Sequence, residues 1–587
     1  MSIPVFLTVL AVMLVGLGSL RFRYRKFGAV LFGVSAFLFL ALLPWPTVDL
    51  LIKENKSFRH WAQSRMARLH ATCWVFSAGF GLTIGLALAL GEPAQGRQPE
   101  WDEPAEFPKL GRMVLESLKG GRPGSTFLGI ANGPRPVFLG AAERERHMQV
   151  VGPTRSGKSQ LLFAMCGQDM ANGLPIFFME AKGDHSDFDQ FLRLSALTGR
   201  VNSTRYFNPQ DERSMTFNPI RMVPGQDPTA IANQIARAIG RDPTSSGEGQ
   251  DYYRSVDYAK IQNMAEIFCS TGRQFTLKDC FYYFHSKHAR QRAFELCTVR
   301  RVAAMATEQF KDSPDSTSLT AALRPWTTGT LGRLLNSYSP QIKLEEVFEQ
   351  GQLAYFAVPI GHLQVLANPL GRMVISALLS VAAARQKARN KPEPASVILD
   401  EFAEFATPVF ASFIATVGSA RLWTTLSHQD LGQLKKVQGM DADAFTSAVF
   451  NNTSGCKICF RSPDPEDAEF WSSTLGTYQA TEDTERVTHG LLGDSNTGEK
   501  SRRTVEHFKV HPNRLKNLVP FTAMVFSPGK EACLVQSARV FDALDHAAPL
   551  PELFPAETRF EEGLDLEAFV PETEIGTQMG QDGDEQK

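Results

Sequence analysis

The 587-residue chain has little cysteine: its eight residues are scattered without the regular spacing of a disulfide framework. Such usage is typical of a reducing compartment with buried, unreactive thiols. The one close pair, Cys456 and Cys459, lacks two further ligands at metal spacing, so we interpret both as ordinary strand residues. The cysteines therefore argue against a disulfide-stapled secreted domain and against a structural zinc site.

The chain also lacks a large net charge, at −1 overall, although its two ends are strongly charged. Residues 1–91 hold nine Lys/Arg against two Asp/Glu, whereas residues 551–587 hold eleven acids against two bases. The long middle is close to neutral and carries no global basic field of the kind that marks many nucleic-acid-binding proteins. At this length we expect two or three folded units, and 43% hydrophobic residues supply a sizeable core.

Three long uncharged apolar runs lie near the start of the chain, at 3–20, 27–45 and 71–91. Each is about long enough to cross a bilayer. The first run lacks the basic n-region and the small-residue cleavage site of a signal peptide. We predict a transmembrane anchor of two or three helices over 1–91, and a linker rich in Pro, Gly and charge over 92–126. Basic residues follow both the first and the second run, so the number and orientation of the spans stay open.

A phosphate-binding loop is predicted at 152–159, where the chain reads GPTRSGKS. The apolar strand before it and the apolar helix after it supply the strand–loop–helix context that this motif requires. Backbone N–H groups and the helix N-terminus would cradle the phosphates of ATP, while Lys158 would reach the β- and γ-phosphates and Ser159 would ligate Mg²⁺. The predicted nucleotide-contacting residues are Gly152, Pro153, Thr154, Arg155, Ser156, Gly157, Lys158, Ser159 and Gln160.

The acidic partner of such a loop is predicted in ASVILDEF, residues 395–402. Asp400 would hold Mg²⁺ and Glu401 would polarise the attacking water. Adjacent acids can also cap a helix, but the uninterrupted apolar strand before them favours the catalytic interpretation. Gln429, at the end of the apolar stretch 422–430, is placed to sense the γ-phosphate; its alternative role is an ordinary polar cap.

Further apolar runs at 174–184, 353–360, 422–430, 455–461 and 522–529 follow in the order expected of a doubly wound α/β sheet. Between 225 and 345 apolar residues recur at helical spacing, which predicts an all-helical insertion. Residues 551–587 mix acids with isolated apolar residues, a composition that predicts disorder. This tail would be a solubilising end or a docking segment for basic partners, with the anchors Phe560, Leu564, Leu566 and Phe569.

The ordered set of motifs resembles the TraG/TraD family, the coupling proteins of type IV secretion systems. The nucleotide motifs VVGPTRSGKS and VILDEF carry this resemblance together with SARLWTTLSHQDLGQLKK, FNNTSGCKICFR and HPNRLKNLVPFTAMVFSPGK. The stretch FFMEAKGD is similar to a further family motif, with Glu180 where the family usually has Asp. The similarity spans roughly residues 10 to 540.

The resemblance implies a RecA-like P-loop NTPase domain over 127–224 and 346–545, with an all-alpha domain at 225–345 and the tail from 546. It also implies a homo-hexameric ATPase, multi-pass in the bacterial inner membrane, with its catalytic domain in the cytoplasm. The neighbouring subunit of such a ring supplies an arginine finger, for which Arg421 is the candidate, although the family usually has A-R-x-x-G where this chain reads ARLW. The cargo would be single-stranded DNA with its relaxase and relaxosome proteins, or a protein effector, passed to the secretion channel.

Two other functions stay open on sequence alone. An FtsK-type double-stranded DNA translocase also joins membrane spans to a RecA-like motor. Such proteins usually end in a winged-helix domain, whereas here the last predicted strand lies near 529 and an acidic tail follows. An ATP-gated receptor that recruits cargo without pumping it would carry the same motifs as a motor. Intact Lys158, Asp400 and Glu401 favour hydrolysis, yet hydrolysis could serve assembly or gating alone.

Overall fold

The computed structural model describes residues 109–118, 124–131, 135–223, 226–241, 251–388, 390–406, 410, 414, 417–436, 441–490 and 493–571. The predicted transmembrane anchor, most of the predicted linker and the last part of the acidic tail lie outside the described residues.

Thirteen strands are formed by the described residues. They are β1 Ser125–Ala131, β2 Arg135–Gly140, β3 Met148–Val151, β4 Ile176–Glu180, β5 Thr204–Phe207, β6 Leu353–Ala357, β7 Ala395–Leu399, β8 Leu422–His428, β9 Cys456–Cys459, β10 Thr477–Gly490, β11 Gly493–Phe508, β12 Thr522–Phe526 and β13 Cys533–Gln536. Eleven of them make one sheet in the order β2-β1-β13-β12-β9-β3-β8-β7-β4-β6-β5. Strands β10 and β11 form a two-stranded sheet of their own, in a separate compact unit that includes residues 478–507.

The sheet has a parallel half and an antiparallel half. Neighbours from β9 to β5 pair in parallel, whereas β12, β13, β1 and β2 pair antiparallel. Every residue of β3, β4, β6, β7 and β8 is buried, since helices cover both faces of a parallel sheet. This is why these strands read as continuous apolar runs and were predictable, whereas β1 alternates between buried and half-buried residues and was missed.

Helices flank the sheet, and several begin at a carboxylate that accepts a backbone N–H of the first turn, as Asp184, Asp441 and Asp464 do. Those of the sheet domain are Leu110–Ser117, Ala141–Arg144, Lys158–Ala171, His185–Leu197, Leu344–Glu349, Ile360–Leu363, Ala367–Lys387, Leu431–Leu434, Ala442–Asn452, Pro465–Leu475, Pro512–Lys516 and Phe541–Ala547.

The stretch predicted to be an all-helical insertion contains a group of helices whose buried residues continue the hydrophobic core on one face of the sheet. Ile235, Ile261 and Phe268 are fully buried between them, as the apolar spacing of the sequence predicts. These helices are Pro228–Ala238, Asp251–Ser270, Leu277–His285, Lys287–Leu296, Arg300–Asp312, Thr317–Leu323 and Gly329–Leu335.

One helical stretch in the described part of the chain, Ile360–Lys387, is long and apolar enough to cross a membrane. Leu370, Val374 and Leu378 on it are fully buried in the protein, and it packs against Pro228–Ala238 and the turn Phe402–Phe405. We therefore interpret it as a core helix of the sheet domain.

The structure adds one element near each end of the predicted sheet domain. The predicted linker already contains the helix Leu110–Ser117, which packs on Phe541–Ala547. Strand β13 follows the strand that was predicted to be the last. Both elements are short, and neither belongs to a motif on which the sequence analysis relied.

The prediction of disorder is wrong for residues 551–571. Leu564 and Leu566 are buried, and the backbone N–H of Leu566 donates to Oδ1 of Asp279 at 2.9 Å. The carboxylate of Glu561 pairs with Arg221 at 2.9 Å and with Lys343 at 2.6 Å. Composition misled here because these few apolar residues make no core alone but join that of the helical insertion.

Candidate active site

The phosphate-binding loop leaves β3 at Gly152 and enters the helix Lys158–Ala171. A Cβ on Gly152 would lie 2.6 Å from Cβ of Phe460, and Gly157 has a φ of +113°. Both positions therefore require glycine. Thr154 and Arg155 are exposed on the outer side of the loop, whereas Ser156 is buried.

Lys158 is buried beneath the loop and donates to the carbonyl oxygen of Gly152. Its Nζ lies 3.8 Å from Oε1 of Glu401. Burial lowers the pKa of Lys158, and the carboxylates of Glu401 and Asp400 offset only part of that effect. A phosphate group of a nucleotide would add a further negative partner and so offset more of this effect.

Asp400 and Glu401 follow β7 directly, and Glu401 adopts a left-handed backbone conformation with φ +54°. A non-glycine residue held in this region is typical of functional sites. Gln429 follows β8, and its Nε2 donates to Oε1 of Glu401 at 3.3 Å. The predicted residues Lys158, Glu401 and Gln429 are thus brought together by three neighbouring parallel strands, β3, β8 and β7.

The donor set fits Mg²⁺, a cation that prefers oxygen ligands. Oδ1 of Asp400 is buried and has no hydrogen-bond partner. The predicted second ligand, the Ser159 hydroxyl, lies at the start of the loop helix, 3.3 Å from the Lys182 ammonium. That ammonium also lies 3.4 Å from Oδ2 of Asp400, so one cation already contacts both predicted metal ligands.

Lys182 is a site residue that the sequence analysis missed. Burial by itself would lower its pKa, but Asp400 and Asp187 outweigh this and hold the pKa above its ordinary value. The sequence signals were the polar end of the apolar run 174–184 and the similarity of FFMEAKGD, which contains Lys182, to a family motif. Glu180, two residues earlier, accepts from the backbone N–H of Gly183 at 3.0 Å, and burial raises the pKa of this carboxyl to about 8.

Two predicted residues lie differently from the rest. The Gln160 side chain accepts from the N–H groups of Val540 and Phe541 at 2.6 and 3.0 Å, so it tethers the loop helix to the end of the sheet domain. Arg421 precedes β8 and Gln429 follows it, so the two residues lie at opposite ends of this strand. Arg421 pairs with Glu145 at 3.6 Å.

Residues 394–519 match the family described as the TraM recognition site of TraD and TraG. This stretch contains Asp400, Glu401, Arg421 and Gln429. The predicted resemblance to the TraG/TraD family is confirmed. No curated protein matches the chain.

Solved structures similar to this chain include bacterial conjugative coupling proteins. The unbound form of TrwBdeltaN70 is 16% identical, with a TM-score of 0.50 over 76% of this chain and 95% of that chain. TrwB in complex with ADP and Mg²⁺ is 16% identical, with a TM-score of 0.48 over 82% and 98%. VirB4 of Thermoanaerobacter pseudethanolicus is 11% identical, with a TM-score of 0.45 over 71% and 97%. The likeness to unbound TrwB confirms the predicted RecA-like P-loop fold.

Proposed function

We propose that the chain is a membrane-anchored ATPase that couples a relaxase–DNA substrate, or a protein effector, to a type IV secretion channel. In this proposal ATP hydrolysis drives conjugative DNA transfer. The supporting observation is the convergence of Lys158, Asp400, Glu401 and Gln429 at the carboxyl ends of three adjacent parallel strands. This edge is where open α/β sheets bind their ligands.

The site geometry suggests a role for each of these residues in hydrolysis. The loop N–H groups and Lys158 would bind the β- and γ-phosphates. Asp400 and Ser159 would hold Mg²⁺, which neutralises phosphate charge. Burial raises the pKa of Glu401, so its carboxylate is a stronger base for orienting and polarising the attacking water. Gln429, already bonded to Glu401, would contact the γ-phosphate or that water.

Arg421 would act on the site of a neighbouring subunit. The seven residues of β8 separate it from Gln429, so the two lie about 26 Å apart along an extended chain, and Arg421 cannot reach the phosphates of its own subunit. A positive charge delivered to a γ-phosphate in trans stabilises the transition state. This role requires a ring, which we propose to be a homo-hexamer.

The remaining assignments rest on the family resemblance. The apolar runs before residue 92 would anchor the ring as a multi-pass protein in the bacterial inner membrane, with the ATPase domain in the cytoplasm. The match to a TraM recognition site supports relaxosome proteins as partners. Single-stranded DNA would bind without sequence preference, through its phosphates and stacked bases.

The test is ATP hydrolysis by the full chain in detergent, with and without single-stranded DNA. We expect DNA to stimulate hydrolysis, and Lys158→Ala and Glu401→Gln to abolish both the basal and the stimulated rate. Hydrolysis that ignores DNA would replace the DNA motor with a protein-cargo or gating function. No hydrolysis by assembled rings would favour the ATP-gated receptor.

A further inference from the structure

His428, the last residue of β8, lies fully buried between the three parts of the candidate active site. Its carbonyl oxygen accepts from the N–H of Gly152, the first residue of the phosphate-binding loop, at 3.3 Å. The edge of its imidazole ring packs against the ring of Phe402, which follows Glu401, with 5.7 Å between centroids. The next residue in the chain is Gln429.

Both ring nitrogens of His428 have a hydrogen-bond partner. Nδ1 lies 2.7 Å from the carbonyl oxygen of Asp430, and Nε2 lies 2.8 Å from Nε2 of Gln149 on β3. A carbonyl oxygen can only accept, so Nδ1 carries the proton and Nε2 accepts from the Gln149 amide. The Gln149 oxygen in turn lies 3.4 Å from the Thr453 hydroxyl, whose shortest contact is with the carbonyl oxygen of Val449 at 2.9 Å.

Burial lowers the pKa of His428 to about 4, with the Asp430 carbonyl opposing part of this effect. The ring is therefore neutral at cellular pH and keeps the single proton arrangement that satisfies both partners. A buried polar chain of this kind is rigid when every member is satisfied.

This series of hydrogen bonds ends at the turn that carries Gln429. The bond from Nδ1 to the Asp430 carbonyl spans Gln429, and the Gln429 N–H donates to Oε1 of Gln433 at 2.9 Å. Two bonds thus fix the backbone on either side of the side chain that reaches Glu401. Among the described residues, the Gln429 amide is oriented by the single 3.3 Å bond to Glu401.

We propose that His428 is a positioning residue for nucleotide hydrolysis: its Nδ1–H to the Asp430 carbonyl sets Gln429 relative to Glu401 and the phosphate-binding loop. The proposal rests on the proposed ATPase function. His428 does not touch the nucleotide. It acts only through Gln429, so it matters for the triphosphate and for the transition state but not for the diphosphate.

Three substitutions of His428 test its two side-chain hydrogen bonds separately. An asparagine amide occupies nearly the place of Nδ1, so His428→Asn keeps a donor for Asp430. A glutamine amide occupies nearly the place of Nε2, so His428→Gln keeps a partner for Gln149 and loses the bond to the turn. His428→Phe keeps only the ring volume.

The full chain and the three variants are compared in kcat, in affinity for ADP and for a non-hydrolysable ATP analogue, and in thermal melting. We expect His428→Asn to retain kcat within about threefold, and the Gln and Phe variants to lose between about tenfold and a hundredfold. ADP affinity stays unchanged in all three, whereas the preference for the ATP analogue over ADP falls only in the Gln and Phe variants.

A purely structural role would give a different pattern. The melting temperature, the ADP affinity and kcat would then fall together in all three variants, and His428→Asn would not retain the kcat of the wild type. Either that pattern, or equal kcat in the Asn and Phe variants, overturns the proposal. Wild-type hydrolysis that DNA does not stimulate would overturn the coupled motor and leave this comparison intact. If the wild type did not hydrolyse ATP, the ratio of the affinities for the ATP analogue and for ADP would still show whether His428 positions Gln429.

Discussion

At the scale of single residues, the candidate site is a set of charged groups that pair with one another. Lys158 and Glu401 are both buried and lie 3.8 Å apart, and Lys182 joins Ser159 to Asp400. A buried charge without a partner is costly. Removing one member should therefore affect folding as well as chemistry, and the most informative substitutions are those that keep the charges.

Gln429→Ala is one such substitution. We expect kcat to fall by about a hundredfold, because a group that contacts charge developing in the transition state is lost. Affinity for ADP should stay within about twofold, since Lys158 and the loop are untouched. Steady-state kinetics and nucleotide titration measure both, with Gln386→Ala, an exposed glutamine at the end of Ala367–Lys387, as control. An unchanged kcat would remove Gln429 from the mechanism.

Glu180→Gln tests the buried carboxyl that stands where the family usually has Asp. Its pKa is about 8 in the folded chain against an ordinary 4.5, so the folded state binds the proton more tightly. This contribution to stability is present at low pH and is lost as the pH rises through about 8. The glutamine variant does not titrate, so its stability relative to wild type should rise between pH 5 and 8, by up to about 1.4 kcal/mol for each pH unit.

Melting curves at both pH values, with a metal chelator present, measure that difference. The same difference between the Gln variant and wild type at pH 5 and at pH 8 would show that Glu180 does not titrate in this range.

Sequence reasoning predicted Lys158, Asp400, Glu401 and Gln429 as site residues because each belongs to a local motif at the end of an apolar strand. Lys182 and His428 escaped it. The contact of Lys182 with Asp400 joins residues 218 positions apart, and His428 reaches Gln149 across 279 positions. Partners at such separations are set by strand order, which a single sequence does not reveal.

At the scale of elements, strand β8 connects Arg421 and Gln429, two residues for which we propose roles in hydrolysis. Gln429 follows the carboxyl end of β8, beside the phosphate-binding loop. Arg421 precedes the amino end of the same strand. A fully buried strand is a stiff connection. The continuous apolar sequence of β8 made the strand predictable, but its place between β3 and β7 was not.

The segment 551–571 is the element for which composition misled most. Its two buried leucines, Leu564 and Leu566, join a core formed by residues nearly three hundred positions earlier, so no local pattern predicts their burial. The docking role considered for Leu564 and Leu566 is unavailable while they are buried, whereas Phe560 is 90% exposed. Burial of the two leucines therefore reduces the apolar surface with which this segment can contact a partner.

Leu566→Ala tests the burial directly. We expect a loss of about 2–5 kcal/mol of unfolding free energy, from lost apolar contact and the cavity left behind. Phe560→Ala, at an exposed position of the same segment, should change stability by less than about 0.5 kcal/mol. Denaturant unfolding of both variants provides the comparison. Equal effects would mean that the segment does not pack on the helical insertion.

At the scale of the whole molecule, the proposed ring makes each site depend on two subunits. Arg421 lies too far from its own phosphate-binding loop to serve it. Rings of Arg421→Ala alone, or of Lys158→Ala alone, should then be inactive. In a random mixture about a quarter of the sites combine an intact loop with an intact finger, so about a quarter of the wild-type rate should return.

ATP hydrolysis by co-assembled rings measures this complementation, with native mass spectrometry to confirm mixing. No recovered activity in mixed rings would mean that Arg421 does not act across the interface.

The central claim is that hydrolysis at this site moves cargo, and Glu401→Gln tests it most directly. In cells that carry the cognate secretion system, this variant and the wild type are compared in recruitment of relaxase–DNA cargo to the membrane and in conjugative transfer. The variant keeps Lys158, Asp400 and the loop, so nucleotide and cargo binding should persist. We predict normal recruitment with transfer reduced by several orders of magnitude. Normal transfer by a variant shown not to hydrolyse ATP would contradict the account and identify the chain as a receptor.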